Sequence, residues 1–594
     1  MKRHIRQSRW LVAVFCVLAV AAFTGLYWVH GVNRVEKPNE PLTSTLDDWN
    51  VEQSAINGAP LAENKNIYKS ENPGELTTVY ITVFPTYDET GNLLDFSVFD
   101  QMTSRDKTFN PVLDANIQFA DANGSLNPLV NTNSANSTIQ VRGNSARGAK
   151  YKSYKVKLKD ENSFQGQTVL NINKHMFDVS KIANKFCMDM MQQVDDMASF
   201  STYFMRVYIK DASLPKEQQT YKYYGLYTDI EQPNKTYLRR RGLDENGTMY
   251  KASNFEFRLT PELKNVDDPG YDEEAFETVL GIREAKDHTK LLQMLTDIND
   301  VNQDFNTVFH KYFNEDNYLT WLACNVLLGN EDTIAHNFIL YSPQDSLTWY
   351  LLPWDYDGTF KFGEYASSFQ APQSLKGVQR LSGVQLHRRY LLQPGNQEKL
   401  TAKIQELMRT SFTEERVNSL LDSYRPVLEE MLDKSPDLEL LEIPLNQYNR
   451  YINQFYEQIE KNYQAYLNSV QYPLPFFVSE PQKNSDGTTH FTWEPSYSAA
   501  GRFVTYSVTL AKDPGMQNVV LSKENLTENK FDSPGAIAPG DYYLMVTSTD
   551  DAGVRQISLD YYQAEKPVTK AELAQFKRNG NSSYYYGVRK IHLE

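Results

Sequence analysis

Residues 10–29 contain no charged side chain, and Lys2, Arg3, Arg6 and Arg9 precede them. About 20 apolar residues are what a helix needs to cross a bilayer, and a basic flank stays on the cytoplasmic side. This feature divides the chain: residues 1–30 read as a basic flank and transmembrane signal-anchor, and the rest lies outside the cytoplasm. A cleaved signal peptide is the alternative, with Ala19-Val20-Ala21 as its cleavage site, leaving a secreted protein. Against cleavage, the apolar run continues through Phe23, Leu26, Tyr27, Trp28 and Val29.

Beyond the anchor the chain is too long, at 594 residues in all, for one hydrophobic core. Residues 31–75 are polar and rich in Asn, Glu and Pro, as a linker would be. Alternating strand patterns follow at 77–84, 137–141 and 153–158, then a helical pattern in which Ile182, Phe186, Met190 and Val194 recur every four residues behind Asp178 as N-cap. Two strands are expected at 203–209 and 223–230. Helical patterns dominate 271–329 and end at Gly329, a hairpin spans 338–352, and helices resume over 398–467. After Pro473-Leu474-Pro475 the pattern becomes all-β, with Trp493 as a core tryptophan. This predicts a fibronectin type III-like sandwich over 475–563 and a C-terminal tail over 564–594, the sandwich serving as spacer or as a contact to cell-wall or surface glycan. The net charge of −15 argues against nucleic acid as a partner. Cys16, Cys187 and Cys324 form no CxxC pair, so a structural zinc site is not expected.

Chemistry concentrates in two stretches, GNEDTIAHN at 329–337 and PWDYDGTF at 353–360, joined by the hairpin. Phosphoryl transfer needs a carboxylate to take the proton of the attacking hydroxyl, and further oxygen ligands to hold divalent cations on the phosphates. In protein kinases these arrive as an Asp, an Asn five positions later, and a second Asp after a two-strand hairpin. Asp332, Asn337 and Asp355 follow that order and spacing, with Asp357 able to share or replace the role of Asp355. Oxygen-only ligands suit Mg²⁺ or Mn²⁺, with Ca²⁺ also compatible. Upstream, Ser153 and Lys155 have the spacing of a small residue under adenine and a phosphate-binding lysine; Lys157, on the same strand face, is its rival. Arg142 and the loop 143–148 are placed to approach phosphates, and Glu231 ends a strand where a hinge would begin. No acidic partner for the lysine stands out, since Asp178, Asp189 and Asp195 are equally nameable. The nine histidines form no HExxH, and no GxSxG elbow is present.

RGNS at 142–145, KSYKVKL at 152–158, YGLYTDIEQ at 224–232 and the two stretches above resemble, in order, the successive blocks of the CotH family. That family includes spore coat proteins with secreted-kinase activity and related surface proteins, and the resemblance covers about residues 76–470. It implies an α+β, atypical bilobal protein-kinase-like fold with a β-rich N-lobe and helical C-lobe. It also implies binding of ATP with a divalent metal and phosphorylation of extracytoplasmic proteins. Carried across, Asp332 matches the catalytic Asp and Asp355 the metal-binding Asp; by spacing, Asn337 takes the second metal position and Asp357 shares or replaces the role of Asp355, while Arg142, Lys155 or its rival Lys157, and Glu231, which otherwise caps the next helix, are the nucleotide-side candidates. Asn330 and Glu331 stand where ordinary kinases carry His and Arg, a departure that leaves the substrate geometry open. A catalytically silent adhesion or coat-assembly protein is the competing expectation.

Overall fold

Alternation of buried and exposed side chains builds the first region. The computed structural model describes residues 58–103, 108–120, 133–159, 162–363, 372–565 and 583–594. The expected span over 10–29 lies outside these residues; among them no helix is long and apolar enough to cross a membrane. Seven strands, β1 (Leu76–Val83), β2 (Leu113–Phe119), β3 (Ser137–Arg142), β4 (Ser153–Leu158), β5 (Val169–Asn173), β6 (Thr202–Asp211) and β7 (Lys222–Ile230), form a closed barrel in the order β1-β2-β3-β4-β5-β7-β6. Closure comes from a parallel pairing of β1 with β6, running from Leu76↔Phe204 to Val83↔Asp211. Val79, Ile81, Ile139, Val141, Tyr154, Val156, Ile172 and Val207 fill the interior. Tyr154, Val156 and Leu158 are buried, which leaves Ser153, Lys155 and Lys157 on the outer face of β4.

Between β5 and β6 runs the helix α1 (Ala183–Met191), all of whose residues are buried. It begins later than the sequence pattern predicts. The Asp178 carboxylate accepts hydrogen bonds from the backbone N–H groups of Ser180, Lys181 and Ala183, so it caps a turn that leads into the helix. Val194, expected on the helix, lies past its end.

A second sheet, in the order β9-β8-β10-β11, joins β8 (Thr248–Ala252), β9 (Leu280–Glu284) and the predicted hairpin, β10 (Phe338–Ser342) and β11 (Tyr350–Pro353). Behind the hairpin packs α2 (Glu315–Leu328), apolar nearly all round and deeply buried, as a central helix must be. Gly329 closes it in the left-handed region, φ 63°, where a side chain would be strained. α3 (Asn396–Thr410), α4 (Glu414–Met431) and α5 (Phe455–Ser469) complete the helical middle. The protein is therefore a mixed α+β chain with a sheet-rich N-terminal region.

After residue 475 two antiparallel sheets share a core of Phe476, Val478, Phe491, Trp493, Val508, Leu544 and Val546. The larger is built on β12 (Val504–Ala511), β13 (Val519–Leu526) and β14 (Gly540–Asp550). Residues 588–593, expected within a tail, instead form β15 (Val588–Leu593), which pairs along β14 from Gly540↔Leu593 to Met545↔Val588. Val588, Ile591 and Leu593 bury their side chains there, an alternation too short to stand out in the sequence.

Candidate active site

Hairpin register brings the two motif stretches together. Phe338 pairs with Pro353, so Asn337 and Asp355 emerge at the same end of β10 and β11. Both adopt left-handed backbone, φ 59° and 60°, a conformation that costs a non-glycine residue free energy and that clusters at functional sites. The Asn337 N–H donates to the Ala252 carbonyl at 3.1 Å, which ties the motif to β8. Asp332 sits in a short 3₁₀ turn capped by Asn330, whose side chain accepts from the Asp332 N–H. Its carboxylate lies against the loop after Asp355: a Cβ built on Gly358 would stand 2.7 Å from Asp332 Oδ2. The structure thus brings Asp332, Asn337 and Asp355 to one place.

The loop carrying Asp355 is fastened from behind. Tyr356 donates its N–H to Asn184 Oδ1 on α1 at 3.2 Å and its hydroxyl to Asn325 Oδ1 on α2 at 2.8 Å. Phe360 stacks on Phe455 with ring centroids 4.0 Å apart and meets Phe186 edge-on. Tyr451 holds the Phe360 carbonyl at 2.6 Å. Burial and the neighbouring Asp355 carboxylate push the Asp357 carboxyl well above the ordinary range.

Among the described residues no three His, Cys, Asp or Glu side chains lie close enough to hold an ion together. Asn337, Asp355 and Asp357 present oxygen donors only, the kind that Mg²⁺ and Mn²⁺ take.

The basic residues sort themselves by burial. Arg142, at the end of β3, is half-buried; burial lowers its pKa, with Asp355 first among the acids that oppose the shift. Lys155 is half-buried, whereas Lys157 is exposed. Burial lowers the Lys155 pKa and its cationic neighbours Arg283, Arg142 and Lys157 lower it further; among the described residues no carboxylate pairs with it. Asp189 is engaged elsewhere, bonded to Lys185 at 2.9 Å and to the hydroxyls of Thr202 and Tyr424.

Glu231 does not join the cluster. Arg240 and Arg241 take up its two carboxylate oxygens, and it also accepts from the Ser201 N–H. Burial alone would raise its pKa, yet the two guanidiniums hold it below the ordinary value. Its place is in a buried ion-pair network.

Three residues that sequence reasoning missed do face the site. Lys251 on β8 has its pKa lowered to about 8 by burial, with Asp355 the first acid opposing the shift. Arg283 on β9 lies near Arg142, Lys155 and Lys251. His175 follows β5 with φ 51°, its pKa lowered to about 3 by burial, beside Asp355 and Arg142. One signal was available: Lys251 is the single charge in a strand otherwise reading Thr-Met-Tyr-Ala.

The family described as CotH kinase protein matches residues 139–469, which spans the barrel from β3 onward, the second sheet and the helical middle. Inner spore coat protein H of Bacillus subtilis (strain 168) is 27% identical over 229 residues, 37% of this chain and 58% of that protein. The chain thus matches less than two thirds of that relative's length. The converging acidic motif lies inside the matched region, and the match exceeds half of the chain: the protein belongs to the CotH kinase protein family.

Proposed function

We propose that this protein is an atypical kinase acting outside the cytoplasm, moving the γ-phosphoryl group of ATP to a hydroxyl side chain of a surface, secreted or coat protein. The convergence of Asp332, Asn337 and Asp355 across one hairpin carries this reading. Asp332 accepts the hydroxyl proton as the substrate oxygen bonds to the γ-phosphorus; the bond to the bridging oxygen breaks and ADP leaves. Asn337 and Asp355, with Asp357 behind them, are the ligands for Mg²⁺ or Mn²⁺, which when bound neutralises phosphate charge. The basic flank and apolar run at the N-terminus anchor the chain in the membrane, and the C-terminal β unit spaces it or contacts surface glycan.

A second reading is a catalytically silent module of envelope or coat assembly. One observation favours it: the Bacillus relative is named for a coat layer. Radiolabel transfer from ATP by the full chain separates the two. Under the kinase reading, Asp332→Ala lowers transfer by about 100-fold or more while retaining nucleotide binding. Asp355→Ala removes transfer together with metal-dependent nucleotide binding. Labelling that persists in both variants would exclude the assigned chemistry, and a wild-type chain that folds, binds its coat and transfers nothing supports the silent module.

A further inference from the structure

Four cationic side chains crowd one side of the Asp355 loop, and they come from two different sheets. Lys251 on β8 pairs across to Gly281 on β9 and to Ile339 on β10, one residue from the backbone bond that fixes Asn337. Gly281 carries no side chain, and the Arg283 guanidinium occupies the space beside it: a Cβ there would stand 3.4 Å from Arg283 Nη1. Arg283 is thereby laid next to Lys251. Arg142 arrives from the barrel and interacts with Asp355, Arg283 and Asp357. Lys155 completes the group, surrounded by Arg283, Arg142 and Lys157.

Burying like charges together is unfavourable unless counter-charge is close. Among the described residues, none of Arg142, Lys155, Lys251 and Arg283 forms an ion pair within 4.0 Å; one Arg283 N–H is satisfied by the Ile282 carbonyl. Lys251 also lies over the Trp354 ring at 6.0 Å, beside Asp355 in sequence. Asp355 and Asp357 lie near the cluster but beyond ion-pair distance, and its guanidinium forks suit phosphate oxygens.

We propose that Arg142, Lys251 and Arg283 form one cradle for the phosphate tail of a nucleoside triphosphate, with Lys251 rather than Lys155 as the lysine nearest the transferred group. The assignment rests on the kinase reading of the same site and names its phosphate-binding half. Lys251 lies over the ring of Trp354, the neighbour of Asp355, and next to Ala252, which holds the Asn337 N–H, whereas Lys155 stands on a barrel strand with no such tie to the motif. The cradle replaces the single lysine and helix-glutamate pair of ordinary kinases.

The test is calorimetric titration of the full chain with ATP, AMP and inorganic tripolyphosphate in Mg²⁺, for wild type, Lys251→Met, Arg283→Gln and Asp332→Asn. A charge-assisted contact to phosphate is worth about tenfold or more in affinity. Lys251→Met and Arg283→Gln should each weaken ATP and tripolyphosphate by about that factor and AMP by much less. Asp332→Asn should bind ATP like wild type while losing transfer. Should a neutral variant fail to melt cooperatively, Lys251→Arg and Arg283→Lys keep the charge and should recover most of the ATP affinity. Transfer and ATP binding unchanged in all four cradle variants would sink the cradle and leave the kinase reading intact. Tripolyphosphate binding lost in the neutral variants of a chain that transfers nothing would do the reverse. Parallel loss of ATP and AMP would also overturn the proposal.

Discussion

At the scale of single residues, Gly358 is the most exposed test of the assigned geometry. Its φ lies outside the left-handed region, so alanine meets no backbone penalty there. What alanine meets is Asp332: Oδ2 at 2.7 Å and Cγ at 3.2 Å from the new Cβ. A terminal carboxylate moves aside cheaply, so Gly358→Ala should change stability by less than about 1 kcal/mol. The displaced group is the proposed base, and misplacing it by about 1 Å should lower transfer by about 100-fold. Thermal melting with a transfer assay on the same sample checks this; a variant as active as wild type would remove Asp332 from the chemistry. The three motif residues were legible in the sequence because one hairpin carries Asn337 and Asp355 and a short turn carries Asp332, so linear spacing encodes their distance. Lys251 and Arg283 were not legible, because only the pairing of β8 with β9 and β10 brings them to Asp355.

At the scale of elements, one buried arginine helps to tie the 58–70 segment to the chain around Ser199 and Glu231. Arg241, fully buried, donates to Glu231 Oε2 at 2.7 Å, to Glu63 Oε1 at 3.1 Å and to the Ser199 carbonyl at 3.0 Å. Its guanidinium stacks 4.0 Å from the Tyr237 ring centroid. Removing one partner of a buried ionic cluster leaves the others uncompensated, so Arg241→Met should cost about 3–5 kcal/mol in urea unfolding. Pairing it with Glu231→Gln should recover part of that loss; full additivity of the two would show that they do not interact. The same network engages Glu231, whose role the sequence reading left between a nucleotide contact and a helix cap. A Glu that follows a strand and precedes a helix looks alike whether the carboxylate meets a ligand or two arginines at the far end of that helix. Long apolar elements such as α2 were legible, since their burial is written in composition. The start of α1 was not, because the Asp178 cap acts through a turn that pattern counting cannot separate from the helix.

At the scale of the whole molecule, the question is whether the C-terminal β unit is an appendage or part of one cooperative structure. Arg388, on the short helix Gln385–Leu391 within the helical region and nearly inaccessible, crosses to that unit. It donates to the carbonyls of Pro475 and Pro495, the latter at 2.5 Å, and its Nε lies 3.0 Å from Glu494 Oε2. Gln556 reaches back to the carbonyls of Ser374 at 2.8 Å and Pro473 at 2.9 Å. A buried arginine shared between two cores couples their unfolding, because opening either one strands the guanidinium or the acceptors facing it. Calorimetry of the wild-type chain should then show the helical region and the β unit melting in one transition. Arg388→Ala removes the joint at a cost of about 3–5 kcal/mol and should split that transition into two, with new proteolytic cleavage near residues 473–475. Phosphoryl transfer should survive in the variant, because the site is built from β3, β8 to β11, α1 and α2, none of which touches the β unit through Arg388. A single transition at the wild-type temperature would mean that the two cores are held by packing alone, and loss of transfer with the joint would make the β unit a working part of the catalytic body.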